Sequence, residues 1–178
     1  MSKNIYCVGK IEGTQTVMEI ALENNNTPEK LAPAKRVYVV KIQMIKESSI
    51  LYNHRKITSP SDAYNLFKEI FEGADREKLI VISLDTKNQP TTINVVSIGT
   101  LNTSLVHPRE VFKSAILSNA ASIILAHNHP SGDATPSGED INITNRLRDA
   151  GKLLGIDLVD HIIIGFNSFV SLKEKGNL

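Results

Sequence analysis

The sequence predicts an α/β fold, a mixed central β-sheet flanked by helices, and three observations carry that reading. Short apolar runs rich in β-branched residues lie at 79–84, 92–98, 121–126 and 158–164, with the length and composition of strands. Stretches 108–119 and 137–154 lie between them and space their apolar residues as helices do. The connections differ in kind. Thr86–Pro90 is a short turn, so its flanking strands are antiparallel, whereas a helix between 92–98 and 121–126 is most simply a parallel crossover. Both pairings in one sheet make it mixed.

Each element follows from local chemistry. Residues 1–57 read as an N-terminal segment, partly irregular. Asn24-Asn25-Asn26-Thr27-Pro28 and Pro33 break up residues 1–35, and Val37–Ile50 is strand-like, in the manner of an edge hairpin. Residues 58–178 form the main domain. Ser59 and Pro60 open a helix to about Glu72, with proline at the first helical position. Strands Leu79–Leu84 and Thr92–Ile98 follow. Pro108–Asn119 is an amphipathic helix with Val111, Ala115 and Ile116 inward, and Ala121–Ala126 is a buried strand. Ser137 caps the next helix, Ile143, Leu147, Ala150 and Leu154 form its buried stripe, and Gly155 stops it. Leu158–Ile164 is a strand, and a short one near Phe169–Leu172 closes the sheet.

At 178 residues one domain of ordinary size is expected. A net charge of +1 gives no electrostatic footprint for nucleic acid or an anionic membrane. Cys7 is the single cysteine, which excludes an internal disulfide and any multi-cysteine zinc site. No run approaches the ~20 apolar residues of a membrane span, and Met1-Ser2-Lys3-Asn4 opens no apolar leader, so the cytoplasm is the default expectation.

The densest chemistry lies at residues 127–140, His-Asn-His-Pro-Ser-Gly-Asp-Ala-Thr-Pro-Ser-Gly-Glu-Asp. Side chains alternate along a strand, so His127 and His129 leave one face roughly 6.6 Å apart along the chain, with Asn128 pointing the other way. Two such imidazoles can share one metal ion. Pro130, Gly132 and Pro136 mark a loop that returns the chain to a helix start, where Asp140 stands three residues after Ser137. Taken alone, Ser137-x-x-Asp140 is an ordinary capping arrangement. Joined to the histidines, it brings a carboxylate to them. Two histidines and one aspartate leave the fourth tetrahedral position to water, as in a catalytic zinc site.

This segment resembles the signature of the JAMM (MPN-plus) metalloproteases, and is especially similar to the bacterial RadC-like branch. Further stretches agree: Gly99-Thr100-Leu101-Asn102, Val106-His107-Pro108-Arg109-Glu110, Asn119-Ala120-Ala121, and Asp160-His161 before Ile162-Ile163-Ile164-Gly165. The resemblance covers about residues 58–172. It implies a JAMM/MPN-like fold and one Zn2+ per chain held by His127, His129 and Asp140. It also implies that Ser137 helps to stabilise an oxyanion, and that the reaction is hydrolysis of an amide in a peptide or protein.

Such a reaction needs a general base. Strand 79–84 runs against the ligand strand, so Glu77 at its start lies at the end carrying the histidines. Glu110, opening the crossover helix, lies at the same end, and spacing does not choose between them. The resemblance chooses Glu77, because JAMM enzymes keep the base upstream and Asp75-Arg76-Glu77 matches the RadC-like pattern. Glu139 is expected to point away around the helix. His54 reads as a surface side chain and His107 as the residue opening a helix. Asp160-His161 reads as a buried, hydrogen-bonded pair with a supporting role behind it. Asp133 is suited to a turn or to orienting a ligand.

Other metal enzymes fit less well. A (β/α)₈ amidohydrolase also uses H-x-H but takes about 250 residues. Zinc deaminases need paired cysteines. An H-x-H-x-D-H site needs a different continuation, and the letters His-Asn-His do not make an HNH nuclease. Two further classes stand beside the hydrolase. One is a RadC-type factor associated with DNA repair, against which residues 1–57 show no helical hairpins bearing glycine. The other is a non-catalytic interaction module, against which the full ligand set argues. Nucleic acid is thus the weaker partner, no membrane partner is expected, and homo-oligomerisation has no signal either way.

Overall fold

The computed structural model describes residues 6–11, 14–18, 36–52, 54–99 and 106–178, which hold seven strands and three helices. By their internal contacts, residues 1–41 and 42–178 are two units. In the first, β1 (Tyr6–Ile11) pairs antiparallel with β2 (Thr14–Met18), Tyr6 facing Met18 and Val8 facing Thr16. The second carries α1 (Pro60–Phe71), β3 (Lys78–Leu84), β4 (Pro90–Ile98), α2 (Pro108–Leu117), β5 (Ser122–Asn128), α3 (Gly138–Leu154), β6 (Asp157–Ile164) and β7 (Phe169–Ser171).

The five strands of this unit lie in the order β4-β3-β5-β6-β7. β3 is antiparallel to both β4 and β5, β5 is parallel to β6, and β7 closes the sheet antiparallel to β6. The sheet is therefore mixed, as the connections predict. Alternation sorts the core into two layers. Leu79, Val81, Ile123 and Leu125 pack with Val111, Phe112 and Leu147 on the α2/α3 face. Ile80, Ile82, Ile124, Ala126 and Ile162 pack with Leu66, Phe67 and Phe71 of α1 on the other. β5, covered on both faces, is buried along its whole length.

Local signals set the boundaries. Ser59 forms a capping box with Asp62, and Pro60 takes the first helical position of α1. His107 caps α2, its Nδ1 accepting from the Arg109 N–H at 3.2 Å. The β3–β4 turn is tied by the Asp85 carboxylate, which accepts from the Lys87 and Gln89 N–H groups at 2.8 and 2.9 Å. Gly155 ends α3 in the left-handed region at φ 68°.

Three expectations need correction. Residues 36–50 contain no strand, and Val37, Val39 and Ile42 are exposed; the N-terminal strands are β1 and β2, within the stretch read as irregular. A β-branched run has the propensity for a strand, but a strand also needs a ladder partner. Asn24–Pro28 and Pro33 lie outside the described residues. In α2 the buried side chains are Val111, Phe112, Ser114 and Ala115, and Ile116 is exposed. In α3 the buried stripe is Asp140, Ile143, Thr144, Leu147 and Gly151 rather than one ending at Leu154. Both misreadings come from counting apolar residues: the inward faces also carry a serine, a threonine, an aspartate and a glycine. Among the described residues no helix is long and apolar enough to cross a membrane.

Gly151 marks where α3 comes closest to its neighbours. A Cβ there would stand 2.5 Å from the Ile156 carbonyl oxygen and 3.2 Å from the Phe112 ring. Alanine for glycine inside a helix ordinarily stabilises by about 0.5–1 kcal/mol. Gly151→Ala is expected to do the reverse, destabilising by about 1–3 kcal/mol through overpacking. Urea unfolding in the presence of a chelator measures it, and a variant more stable than the parent would refute so tight an approach to Ile156 and Phe112.

Candidate metal centre

A strand end, a turn and a helix start build the site. His127 shares the parity of Ile123 and Leu125, so it leaves β5 on the α2/α3 face, where it is fully buried. His129 stands one residue beyond the strand, in a turn closed by the Gly132 N–H donating to its carbonyl at 2.9 Å. Gly132 has φ 84°, a conformation that strains other residues. The chain then reaches Ser137, which caps α3, and Asp140 lies in the first turn on the stripe that faces the sheet. That stripe is why the carboxylate is buried rather than solvated.

Three donor atoms converge. His127 Nε2 lies 3.0 Å from His129 Nε2 and 3.1 Å from Asp140 Oδ1, and His129 Nε2 lies 3.6 Å from Asp140 Oδ2. Donors bound tetrahedrally at about 2.0–2.1 Å stand roughly 3.3–3.4 Å apart, so the observed spacings bracket that value. The donor chemistry points the same way. His129 Nδ1 lies 2.6 Å from the Asp133 carbonyl oxygen. A carbonyl only accepts, so Nδ1 carries the hydrogen and, in the neutral ring, Nε2 is a bare lone pair. That lone pair faces a second imidazole nitrogen and a carboxylate, an arrangement that calls for a cation. His127, His129 and Asp140 therefore form a group able to hold a metal ion.

Residues 57–177 match the RadC-like JAB domain. The chain belongs to the RadC-like JAB family. It is 52% identical over 163 residues to a UPF0758 protein of Clostridium botulinum strain Hall, spanning 86% of this chain and 72% of the relative. A UPF0758 protein of strain Langeland is 51% identical over the same length. One from Methanosarcina mazei is 57% identical over 122 residues, which cover 68% of this chain and 53% of that protein.

Within this RadC-like site the two oxygens of Asp140 are used differently. Oδ2 accepts from the Ser137 hydroxyl at 2.6 Å and the Ser137 N–H at 2.8 Å, whereas Oδ1 turns to His127. Burial works against the charge, but hydrogen bonds outweigh it, one from His127 whenever its Nε2 carries a hydrogen and those from Ser137 throughout, so the carboxyl lies well below the usual carboxylate range. Asp140 thus stays ionised and ready to bind a cation. Behind His127 stands His161, fully buried, its Nε2 2.8 Å from His127 Nδ1. Burial, with His127 beside it, pushes the His161 imidazole well below its usual range, so it is neutral near pH 7. Asp160 faces elsewhere, accepting from the Ser171 hydroxyl and the His161 N–H, both at 2.7 Å.

A cavity of about 330 Å³ opens over the triad, and Glu77, Ser137 and Glu139 line it as well. Glu77 is half-buried just before β3. Glu110 is instead ion-paired with Lys113 and Arg109 on α2, which hold its carboxyl below the usual range. Glu139, expected to point away, reaches the cleft wall, because the first turn of α3 opens into it. His54 is exposed. Asp133 shapes the loop and orients His129 through different atoms: its carboxylate accepts from the Thr135 N–H and hydroxyl, and its carbonyl accepts from His129. Thr100–Asn102 lie outside the described residues.

One residue with a clear role had no advance signal beyond pointing away from the histidines. The Asn128 amide accepts from the Lys78 N–H at 2.8 Å and donates to the Arg76 carbonyl at 3.1 Å, clamping the backbone on both sides of Glu77. Asn128→Ala removes both bonds and leaves the Lys78 N–H without this partner. The expected loss is about 1–3 kcal/mol of stability, with faster amide exchange at Lys78. Unchanged exchange there would show that the clamp holds nothing.

Proposed function

We propose that this chain is a zinc-dependent hydrolase that cleaves an amide bond, peptide or isopeptide, in a peptide or protein substrate. The observation that carries this reading is the convergence of two imidazole nitrogens and a buried carboxylate on one point, in a cleft that a glutamate also lines. His127 Nε2, His129 Nε2 and the Asp140 carboxylate would hold the ion. Zinc, when bound there, polarises a carbonyl and lowers the pKa of water, leaving a coordination position open.

The remaining chemistry belongs to the chain. Glu77 takes a proton from the attacking water on a carboxylate oxygen and returns it to the leaving nitrogen, so one group serves as base and then acid. The Asn128 clamp fixes the backbone from which it works. Ser137 supports the oxyanion once its hydroxyl hydrogen swings from Asp140 Oδ2 to the substrate oxygen. The cleft wall at Pro130 and Ser131 seats the substrate beside the ligands. Membership of the JAB family supports this reading, as does the intact ligand set.

Two measurements test it. Purified protein is expected to carry one zinc per chain, and His129→Ala to lose it while the far-ultraviolet circular dichroism is retained, because His129 lies past the strand end. Protein with all three ligands intact that takes up no zinc would remove the basis of the proposal. Glu77→Gln is expected to keep the zinc, yet to slow turnover of an amide substrate by the ~10²–10⁴-fold typical of losing a general base. Glu110→Gln is expected to turn over normally. Inactivity of the Glu110 variant with full activity of the Glu77 variant would reverse the assignment.

A further inference from the structure

The tautomer of His127 is dictated by a hydrogen-bond chain that ends on an atom unable to donate. Thr144 Oγ1 lies 2.6 Å from the Asp140 carbonyl oxygen, one turn back along α3, and 2.7 Å from His161 Nδ1. The hydroxyl has one hydrogen and the carbonyl has none, so that hydrogen goes to the carbonyl and His161 Nδ1 must donate to Oγ1. A neutral His161 then presents Nε2 as an acceptor. The hydrogen between it and His127, 2.8 Å away, belongs to His127 Nδ1. His127 Nε2 is left bare, aimed at His129 and Asp140.

The backbone is built to place this chain. β5 and β6 pair in regular parallel register except at one point, where Ile123 faces Leu158 but Ile124 faces Asp160. The extra residue, Val159, reverses the alternation of β6 beyond it, and Val159 itself packs on the α1 face. His161 consequently lies opposite Leu125, on the face that also carries His127. Without the bulge its side chain would emerge among Leu66 and Phe67. Thr144 and His161 are both buried, and each hydrogen-bonding atom of the chain is used.

We infer that Thr144 and His161 are positioning residues for the metal centre: they hold His127 in the Nδ1–H tautomer and so set how tightly the site takes its ion. The inference rests on the metal reading of the triad. It assigns to one carbonyl, that of Asp140, the same task toward His127 that the Asp133 carbonyl performs directly for His129. Loss of the Thr144 hydroxyl frees His161 to carry its hydrogen on Nε2 and donate to His127 Nδ1. That donation moves the His127 hydrogen to Nε2, where it blocks the ligand position.

The test compares Thr144→Val, which nearly preserves shape, with Thr144→Ser, which keeps the hydroxyl. Zinc affinity is read by competition with a chromophoric chelator, and imidazole tautomers by ¹H–¹⁵N correlation on the metal-free proteins. Thr144→Val is expected to bind zinc about 10–100-fold more weakly than the parent, with His127 shifted toward the Nε2–H form. Thr144→Ser is expected to restore both readouts. Parent-like affinity and an unshifted His127 tautomer in Thr144→Val would overturn the inference while leaving the metal reading intact. A parent protein that binds no zinc would overturn the metal reading, and this inference with it. Weaker binding in both variants alike would also overturn it, because simple loosening of the helix, not the hydroxyl, would then be responsible.

Discussion

β5 lies between an antiparallel neighbour, β3, and a parallel one, β6, with helices against both faces of the sheet, so all seven of its residues are buried. Each buried aliphatic side chain there contributes about 1.5–3 kcal/mol over leaving it exposed. Register is fixed by that burial. A slip of one residue would exchange the two faces and carry His127 from the α3 side to the α1 side. The face from which His127 emerges is thus a by-product of packing Ile123, Ile124 and Leu125. Residues beyond the strand end escape this constraint, which is why His129 needs a turn, a left-handed glycine and a carbonyl to be oriented.

The same burial makes the cluster costly unless its polar groups are partnered. His127, Asp140, Thr144 and His161 are all withdrawn from water beside an apolar layer. Polar groups in that position destabilise the fold unless each has a partner. The chain from the Asp140 carbonyl to His127 Nδ1 satisfies the inner side. The outer side is different in kind, because in the tautomers inferred above bare lone pairs on His127 and His129 face each other and a carboxylate. With both Nε2 atoms bare, no hydrogen bond joins the three groups, whereas a cation can bind them all. Binding energy at such a site adds to the stability of the folded chain by linkage.

The strands and the meeting of His127, His129 and Asp140 were legible in the sequence because they rest on short-range rules. β-branched runs bounded by turn residues gave β3, β4, β5 and β6 to within about two residues, and His127, His129 and Asp140 meet as their spacing requires. The parts that were not legible depend on pairing between distant segments. Val37–Ile50 has strand composition, but composition does not reveal a missing ladder partner. The bulge at Val159 inserts one residue among several similar ones, so nothing local announces that His161 changes face. Asn128 reaches residues 76–78 only because β5 and β3 end at the same level. Ile116 and Leu154 differ for a further reason: the buried faces of α2 and α3 include Ser114, Thr144 and Gly151, which a hydrophobic count ignores.

Asp140 shows why a capping motif and a metal ligand are not competing descriptions. A carboxylate has two oxygens with lone pairs in different directions. Oδ2 answers the Ser137 N–H and hydroxyl and so performs the N3 half of a capping box, while the Ser137 hydroxyl accepts from the Asp140 N–H at 3.1 Å. Those bonds immobilise the side chain and stabilise its charge at the positive end of α3. Oδ1 is then delivered to His127 with no rotamer freedom left to lose. The cap supplies the rigidity and ionisation that a ligand requires, so the helix start and the candidate metal site are one structure, read from its two sides.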